Sequence, residues 1–385
     1  MENERYDVVV VGGGAAGLSA ALVLGRARRR VAVVDSGAPR NAPAAHMHGY
    51  LSRDGMPPAD LLAAGREEAA AYGVEFIAGQ VVSIEPGFSI TFAEGVRLES
   101  RRLLIATGAT DELPSIPGLW ERWGKDFLHC PYCHGWEVRD QPLGVLGTST
   151  ASVEHAQLIR QWTGDLTFFT HTHNLTETER EQLEGRDIRI VEGEVRDIVV
   201  EDDRLKGVVL GDGRTVARDA LFIRPEMRPR LDGLLDQLGC QTEELGFILV
   251  DTAGRTSVPG VWAAGNVANP RAQVITAAGE GSAAAISINA DLVQEDIERS
   301  RMTTSPNHDR ARVAPPSKHQ LALMIWLCVF PTLTIINIAL GDWLRPMTPV
   351  TRTFVLATIA VPIVIYGLMP QLHRLRVQLL SARVG

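Results

Sequence analysis

The first hundred residues alternate apolar runs of strand length with a helical repeat. Apart from Asp7, Tyr6–Val11 is a mostly β-branched apolar run, which is typical of a buried parallel strand. Apolar residues then recur at helical spacing over Ala15–Arg28, and Val31–Val34 is a second apolar run. This strand–helix–strand order predicts a βαβ unit, and therefore an α/β fold with a doubly wound parallel sheet.

The same order returns further along the chain. Leu143–Leu146 and Leu166–Phe169 are apolar runs on either side of a helical stretch, Val153–Trp162. We therefore expect two Rossmann-like, three-layer nucleotide-binding domains, with the second inserted into the first. The pattern also predicts strands at Leu103–Ala106 and Val261–Ala264 and a long helix at Ala272–Ile288, in which the small residues of Gly279–Ser287 indicate close helix packing.

The end of the chain is far more apolar than the rest. Leu321–Leu340 and Thr353–Leu372 are 20-residue stretches without a charge, and each is long enough to span a bilayer core. Basic residues flank the pair on its outer sides, which favours a hairpin with both ends in the cytoplasm. The sequence thus predicts a multi-pass protein of the cell membrane whose catalytic part faces the cytoplasm. A buried helical hairpin of a soluble protein is the alternative.

These patterns divide the chain into five parts. Ser300–Lys318 consists largely of Thr, Ser, Pro, Asn, His and Arg, which is typical of an exposed linker. The predicted parts are a first nucleotide-binding domain at 1–115 and 245–299, an inserted domain at 116–244, a linker at 300–318, a two-helix transmembrane hairpin at 319–373 and a cytoplasmic tail at 374–385.

Composition narrows the possible functions. The chain has 46 acidic and 38 basic residues, a net charge of −8, which argues against a nucleic-acid partner. Hydrophobic residues make up 45% and charged residues 22%, as in a folded protein. Four cysteines are too few for a disulfide-stapled secreted scaffold, and no signal peptide is expected before the first strand.

A glycine motif follows the first predicted strand. Gly12, Gly14 and Gly17 form Gly-x-Gly-x-x-Gly at the start of the predicted helix, where a helix N-terminus can bind a pyrophosphate. Asp35 lies 18 residues after Gly17, at the end of the second strand, and is placed to bind a ribose hydroxyl. On this evidence the site holds either NAD or FAD.

The second motif is Cys130-Pro131-Tyr132-Cys133. Two cysteines three residues apart in a cytosolic α/β protein indicate a redox dithiol, and a helix starting there would lower the pKa of Cys130. His134 could act as a base or stabilise a thiolate, with His129 a weaker candidate. An ordinary surface role for His134 stays open, as does a zinc site, although zinc would need a second pair of ligands.

In chain order, the motifs resemble those of low-molecular-weight thioredoxin reductases over roughly residues 5 to 295. They are Gly12–Gly17, Ala106-Thr107-Gly108, the Cys-x-x-Cys, and Ala264-Gly265-Asn266-Val267 followed by Gln273. The resemblance implies FAD in the first domain, bound in part by Thr107 and Gly108. It also implies that Gly265 and Asn266 hold the ribityl–pyrophosphate region and that Gln273 lies near the flavin ring.

The same resemblance assigns roles to the cysteines: Cys133 would lie against the flavin, and Cys130 would exchange with substrate. That family usually has Asp where this chain has Asn266. An amide both donates and accepts hydrogen bonds, so FAD binding is expected to survive the change.

The second nucleotide site departs from that family. Of its Gly-rich turn only Gly147 is kept, and Thr148 and Ser149 place side chains where backbone should approach phosphate. His171 and Thr172 stand where arginines would bind the 2′-phosphate, so NADPH use is doubtful. With His134 replacing an acidic residue, the chain resembles the dithiol oxidases of gliotoxin- and holomycin-type pathways, which keep FAD and use oxygen.

The C-terminal hairpin resembles the two-helix membrane tail of some antibiotic-biosynthesis-monooxygenase-like proteins, on Leu323–Leu327 with Pro331 and on Pro362 and Pro370. We predict a membrane-tethered, FAD-dependent thiol-disulfide oxidoreductase that acts as an oxidase on a small dithiol or a thioredoxin-like protein. An NADPH-dependent thioredoxin reductase is the first alternative, and a non-catalytic flavin sensor or membrane scaffold the second. A homodimer is expected by resemblance alone.

Overall fold

The computed structural model describes residues 5–85, 87–93, 95–230, 233, 237–304 and 316–381. The chain forms two compact units, Met1–Glu295 and Asp296–Gly385.

The described strands are β1 (Arg5–Val11), β2 (Val31–Asp35), β3 (Glu75–Ala78), β4 (Val81–Glu85), β5 (Ser89–Phe92), β6 (Arg97–Ile105), β7 (Ala109–Glu112), β8 (Phe127–Leu128), β9 (Leu143–Leu146), β10 (Leu166–Phe169), β11 (Arg189–Val191), β12 (Val195–Glu201), β13 (Arg204–Leu210), β14 (Thr215–Ala217), β15 (Ala220–Ile223), β16 (Glu226–Pro229) and β17 (Val261–Ala263). The α-helices are α1 (Ala15–Arg26), α2 (Pro58–Ala70), α3 (Pro131–His134), α4 (Thr150–Ile159), α5 (Glu177–Glu184), α6 (Val274–Thr304), α7 (Lys318–Ala339), α8 (Gly341–Leu344), α9 (Pro349–Pro362) and α10 (Met369–Ser381).

The first sheet is parallel in the order β3-β2-β1-β6-β17, and β4 and β5 continue it antiparallel beside β6. Val8 pairs with Val31 on one side and with Arg102 on the other, so β1 is central. Its valines are buried on both faces, which explains the unbroken apolar run. The α/β fold predicted from the sequence is confirmed.

A second parallel sheet has the order β11-β10-β9-β15-β8. The antiparallel strands β12-β13-β14 form a separate meander, which the sequence reasoning had not predicted. The chain leaves the first sheet and returns to it through β7 and β16, which pair with each other as a two-stranded ribbon. The exact domain boundaries given above stay predictions.

Hydrophobic clusters lie on both faces of the first sheet. Val9 and Val11 belong to one cluster, while Val8 and Val10 belong to the other, which includes residues of α1 and α6. Leu24 of α1 is completely buried in the cluster that contains Val8 and Val10, and its burial stabilises the fold by about 1.5–3 kcal/mol. A Cβ on Gly281 of α6 would lie 2.0 Å from the Ala16 oxygen, so the predicted close helix packing is confirmed at this glycine.

Three predicted boundaries need correction. The first helix ends at Arg26 rather than Arg28, because Arg28 adopts a left-handed conformation with φ 62°. Helix α4 begins at Thr150 rather than Val153, because Ser149 and Ser152 form a capping box. Helix α6 runs to Thr304, so 300–304 of the predicted linker is helical. Residues 305–315 lie outside the described residues.

The helix α6 continues past its apolar part because its polar side chains are held by the sheet. Arg102 of β6 forms ion pairs with Asp291 at 2.5 Å and with Glu295 at 2.8 Å. The sequence pattern of Ala272–Ile288 carries no sign of these contacts, since Arg102 is far away along the chain.

The second unit contains two long apolar helices. Lys318–Ala339 contains an 18-residue stretch with a mean hydropathy of 2.2 and Pro349–Arg376 one of 2.0, so both are long and apolar enough to cross a membrane, by length and composition. In α7 the buried residues Met324, Cys328, Thr332 and Ile336 recur every four positions and form one stripe. Most other side chains of α7 are exposed. Arg376 donates to Gln320 at 3.3 Å, so the outer ends of the hairpin lie together.

After Pro362 the second long helix continues through a π-helical segment, Ile363–Leu368, into α10. The predicted tail therefore begins as helix, since α10 runs to Ser381 and 382–385 lie outside the described residues.

Candidate functional site

The glycine motif joins β1 to α1 and lines one large cavity of about 1830 Å³. Gly12 has φ +110°, and a Cβ there would lie 2.2 Å from the Ala106 oxygen. A Cβ on Gly14 would meet no atom within 4 Å, so this glycine leaves open space over the N-terminus of α1. Such an open, side-chain-free cradle fits a pyrophosphate.

The third glycine of the motif, Gly17, differs from the first two in its role. Gly17 does not line the cavity, but a Cβ on it would lie 1.9 Å from the Gly12 oxygen. It therefore lets α1 pack closely against the turn rather than contact a ligand.

Asp35 ends β2 beside this cradle and lines the cavity, as the sequence predicted. Its carboxylate forms an ion pair with Arg66 of α2. Arg66 also lies over the Phe76 ring, 5.6 Å from its centroid. The carboxylate that would accept from a ribose hydroxyl is thus held in place by a residue that sequence reasoning missed.

Another part of the cavity wall carries Thr107, Gly108, Gly265, Asn266 and Gln273. The Thr107 hydroxyl is buried and has no hydrogen-bond partner among the described residues, so it is free to bond a ligand. Gly108 and Gly265 have φ of +75° and +77°, conformations that glycine adopts without strain. These features fit a dinucleotide cofactor that extends from the glycine cradle to this wall.

Asn266 organises the loop that leads to Gln273. Its amide nitrogen donates to the Asn269 and Ala272 oxygens, both at 3.0 Å. Glu280 closes the same loop, since its carboxylate accepts from the Gly265 nitrogen at 3.0 Å and from Asn269 at 2.6 Å. Glu280 was not predicted from the sequence.

Cys130 and Cys133 form a disulfide with a Cα–Cα distance of 5.3 Å, and both line the cavity. Cys130 is the N-cap of α3, which confirms the predicted position of this cysteine at a helix N-terminus. The Gln273 amide lies 4.0 Å from the Cys130 sulfur. The structure thus brings the redox pair and the predicted cofactor residues to one cavity.

Two histidines flank the disulfide, and both line the cavity. Burial lowers the pKa of His134, with Glu137 opposing the shift and His48 adding to it. Burial, followed by the charges of Arg40 and Arg224, lowers the pKa of His129 to about 4. Both imidazoles are therefore neutral at neutral pH and can accept a proton.

The turn after β9 is closed by its own side chains. The Ser152 hydroxyl accepts from the Thr148 nitrogen at 3.1 Å and from the Ser149 nitrogen at 3.3 Å. A phosphate would need these two N–H groups. His171 accepts from the Val195 nitrogen at 3.1 Å and does not line the cavity.

The chain is similar to known proteins that share this arrangement of motifs. The sequence profile of the pyridine nucleotide-disulphide oxidoreductase family matches residues 6–281. The chain belongs to this family. It is therefore a thioredoxin-reductase-like enzyme, an FAD-dependent disulfide oxidoreductase, and the predicted family, function class and flavin cofactor are confirmed.

Relatives within the family extend over the same part of the chain. Thioredoxin reductase sirT of Leptosphaeria maculans is 32% identical and covers 76% of this chain and 96% of its own length. Thioredoxin reductase aclD of Aspergillus oryzae is 31% identical, with coverage of 76% and 98%. Among solved structures, HlmI is 55% identical with a TM-score of 0.77, and covers 78% of this chain and 97% of its own. An oxidoreductase from Agrobacterium tumefaciens is 36% identical with a TM-score of 0.71, covering 75% and 99%.

A second profile, the Y2318 C-terminal domain, matches residues 315–380. The match covers both long apolar helices of the second unit. The oxidoreductase family accounts for the first unit and this profile for the second.

Sequence reasoning missed three further cavity-lining residues beside the disulfide. Asp111 binds the Arg40 guanidinium through two hydrogen bonds of 2.7 and 2.8 Å, and Arg40 reaches His129. His155 of α4 lies against the His129 ring. Asp111, Arg40 and His155 belong to no motif that a single sequence would reveal. Only the fold shows these contacts.

Proposed function

We propose that this flavoenzyme is a dithiol oxidase, which converts a substrate dithiol and oxygen into a substrate disulfide and hydrogen peroxide. The observation that carries the proposal is the closed turn at Thr148 and Ser149, set beside an intact redox disulfide. The electrons then come from the thiol side, since Ser152 already occupies the Thr148 and Ser149 N–H groups that a nucleotide phosphate would need.

The thiol chemistry takes place at Cys130. A substrate thiolate attacks the Cys130 sulfur, the Cys130–Cys133 bond breaks, and Cys133 leaves as a thiolate. The second substrate thiolate then attacks the substrate sulfur of the mixed disulfide, which releases the substrate disulfide and a Cys130 thiolate. Two electrons have passed from substrate to the cysteine pair, and the two substrate thiols have lost two protons.

His134 takes up those protons and passes them to solvent. Its position directly after Cys133, and a pKa lowered by burial, leave it neutral and able to act as a base near neutral pH. His129 is the weaker candidate, because Arg40 donates to its Nδ1 atom at 3.4 Å and occupies one of its two nitrogens.

Bound FAD would supply the two-electron redox chemistry that links the cysteine pair to oxygen. Gly12 and Gly14 would hold its pyrophosphate, Asp35 its ribose, and Gly265 and Asn266 its ribityl–pyrophosphate region. Thr107, Gly108 and Gln273 would bind it along the same cavity, and Cys133 would exchange electrons with it.

The second unit tethers the enzyme to the cell membrane. Both long helices keep most large apolar side chains exposed, as at Phe330, Ile338 and Phe354, and lipid would cover these surfaces. Both ends of the hairpin face the cytoplasm, in line with the basic residues on its outer sides.

The test is anaerobic reduction of the purified holoenzyme, followed by flavin absorbance on adding NADPH, NADH or dithiothreitol separately. We expect only dithiothreitol to bleach the flavin, and air to restore the colour with release of peroxide. The matched control is Cys130→Ser, which keeps FAD but should not be bleached by the dithiol. Rapid bleaching by NADPH would establish the reductase instead, and an intact cellular role in Cys133→Ser would favour a sensor or scaffold.

A further inference from the structure

A histidine that the proposed thiol chemistry leaves unused lies behind the disulfide. His155 of α4 is 6% exposed and packs edge-on against the His129 ring, at 6.0 Å between centroids, and against Phe222, at 6.3 Å. Among the described residues, neither of its ring nitrogens has a hydrogen bond of regular geometry. A buried polar ring in such a setting costs free energy and calls for a functional account.

His129 links this ring to the disulfide, since it directly precedes Cys130. Its Nδ1 atom lies 3.4 Å from Arg40, which Asp111 holds through two hydrogen bonds. Because a guanidinium only donates, Nδ1 must be the acceptor and the proton of the neutral ring sits on Nε2. The ring thus has Arg40 on one side and His155 on another.

We propose that His155 is a positioning residue that acts through His129 on the Cys130–Cys133 pair. It keeps the His129 ring in the orientation in which Nε2–H is free to donate toward a thiolate formed beside it. The proposal rests on the thiol exchange proposed above only in taking Cys130 as the exchanging cysteine.

The charges around the two rings support this assignment. Arg40, Arg224 and His134 act on His129, and burial comes first in lowering its pKa to about 4. Burial, then the charge of His129, lowers the pKa of His155 to about 3, although the His129 backbone opposes the shift. The nearby carboxylates are engaged, Asp111 with Arg40 and Glu154 with Arg224 at 3.7 Å.

A new thiolate at Cys130 would place a negative charge directly after His129 in the chain, beside this neutral pair. It is stabilised by a hydrogen bond from His129, and a misplaced His129 ring would weaken that bond.

The experiment measures alkylation of the reduced holoenzyme by iodoacetamide between pH 5 and 9, with Cys130 and Cys133 quantified separately by mass spectrometry. In His155→Phe, which keeps a ring against Phe222, we expect the midpoint for Cys130 to rise by about half a pH unit. At lower pH that corresponds to about threefold slower alkylation. His155→Gln retains hydrogen-bonding groups, so it should raise the midpoint for Cys130 by less than His155→Phe does.

His173→Phe is the matched control, since His173 lies in the same part of the chain, pairs with Glu179 at 3.1 Å and does not line the cavity. It should leave the midpoint unchanged. A His155→Phe profile that superimposes on the parent would overturn the proposal. So would a shift of equal size in a His129→Phe background, because His155 would then not act through His129.

If His155→Phe does not fold, His155→Gln and its combination with His129→Phe give the same test. Alkylation measures the reactivity of the thiols directly and does not depend on the electron acceptor. The oxidase proposal fails by a different result, bleaching of the flavin by NADPH, so the two failures can be told apart.

Discussion

The glycine cradle allows two neighbouring substitutions to be told apart. Gly12→Ala forces a side chain into a left-handed position, with its Cβ 2.2 Å from the Ala106 oxygen. Gly14→Ala places a Cβ where no atom lies within 4 Å, at φ −78° and ψ −172°, which alanine adopts freely. The first change should damage the fold, and the second only the space for the cofactor.

The magnitudes follow from those contacts. For Gly12→Ala, left-handed strain of about 1–2 kcal/mol adds to about 1–3 kcal/mol for the overlap, so the free energy of unfolding should fall by about 2–5 kcal/mol. For Gly14→Ala the protein without FAD should change by less than about 0.5 kcal/mol. Its FAD affinity should fall roughly 5- to 150-fold, the equivalent of about 1–3 kcal/mol of overlap with the pyrophosphate.

The assay compares both variants with the parent, without FAD by urea unfolding and with FAD by fluorescence titration. We expect a lowered urea midpoint only in Gly12→Ala, and a weakened FAD affinity with an unchanged midpoint in Gly14→Ala. If Gly14→Ala unfolds as early as Gly12→Ala, or binds FAD as tightly as the parent, the cradle has been assigned wrongly.

Three further results are expected. Cys133→Ser should accumulate a mixed disulfide when the substrate is supplied in its disulfide form, since the Cys130 thiolate attacks it and the other substrate sulfur leaves as a thiol, detected by mass; accumulation in Cys130→Ser instead would reverse the order of the cysteines. Because burial lowers the pKa of His134 from 6.5, the exchange rate should rise with pH through a midpoint below 6.5. His134→Gln should abolish this rise, and an unchanged profile would exclude His134 as the base. The full chain should stay in the membrane pellet after alkaline carbonate extraction, whereas release into the supernatant would contradict a spanning hairpin.

The sequence predicts well wherever structure is local. The valines before Gly12 form an unbroken run bounded by glycines, and both β1 and its turn lie where that run places them. The disulfide at Cys130 and Cys133 follows from their spacing, and the cap position of Cys130 from Pro131.

Long-range contacts explain what was missed. His155 meets His129 only because β9 and α4 fold back beside the chain that carries the disulfide, and no periodicity encodes that meeting. Glu280 accepts a hydrogen bond from the Gly265 nitrogen, and Arg66 forms an ion pair with Asp35. Neither residue belongs to a recognisable motif. Gly17 was grouped with ligand-binding glycines because spacing cannot distinguish a glycine that contacts ligand from one that admits a helix.

The Ser152 hydroxyl that caps the Thr148 and Ser149 nitrogens has a thermodynamic consequence. A protein gains stability from a ligand with the logarithm of the ratio of ligand concentration to dissociation constant. A turn that satisfies its own N–H groups folds without that gain. If the enzyme is the proposed oxidase, the stability of this sheet does not depend on the cellular pool of reduced nicotinamide nucleotide. Such an enzyme would keep working through a collapse of that pool, with its turnover set by the supply of dithiol and oxygen.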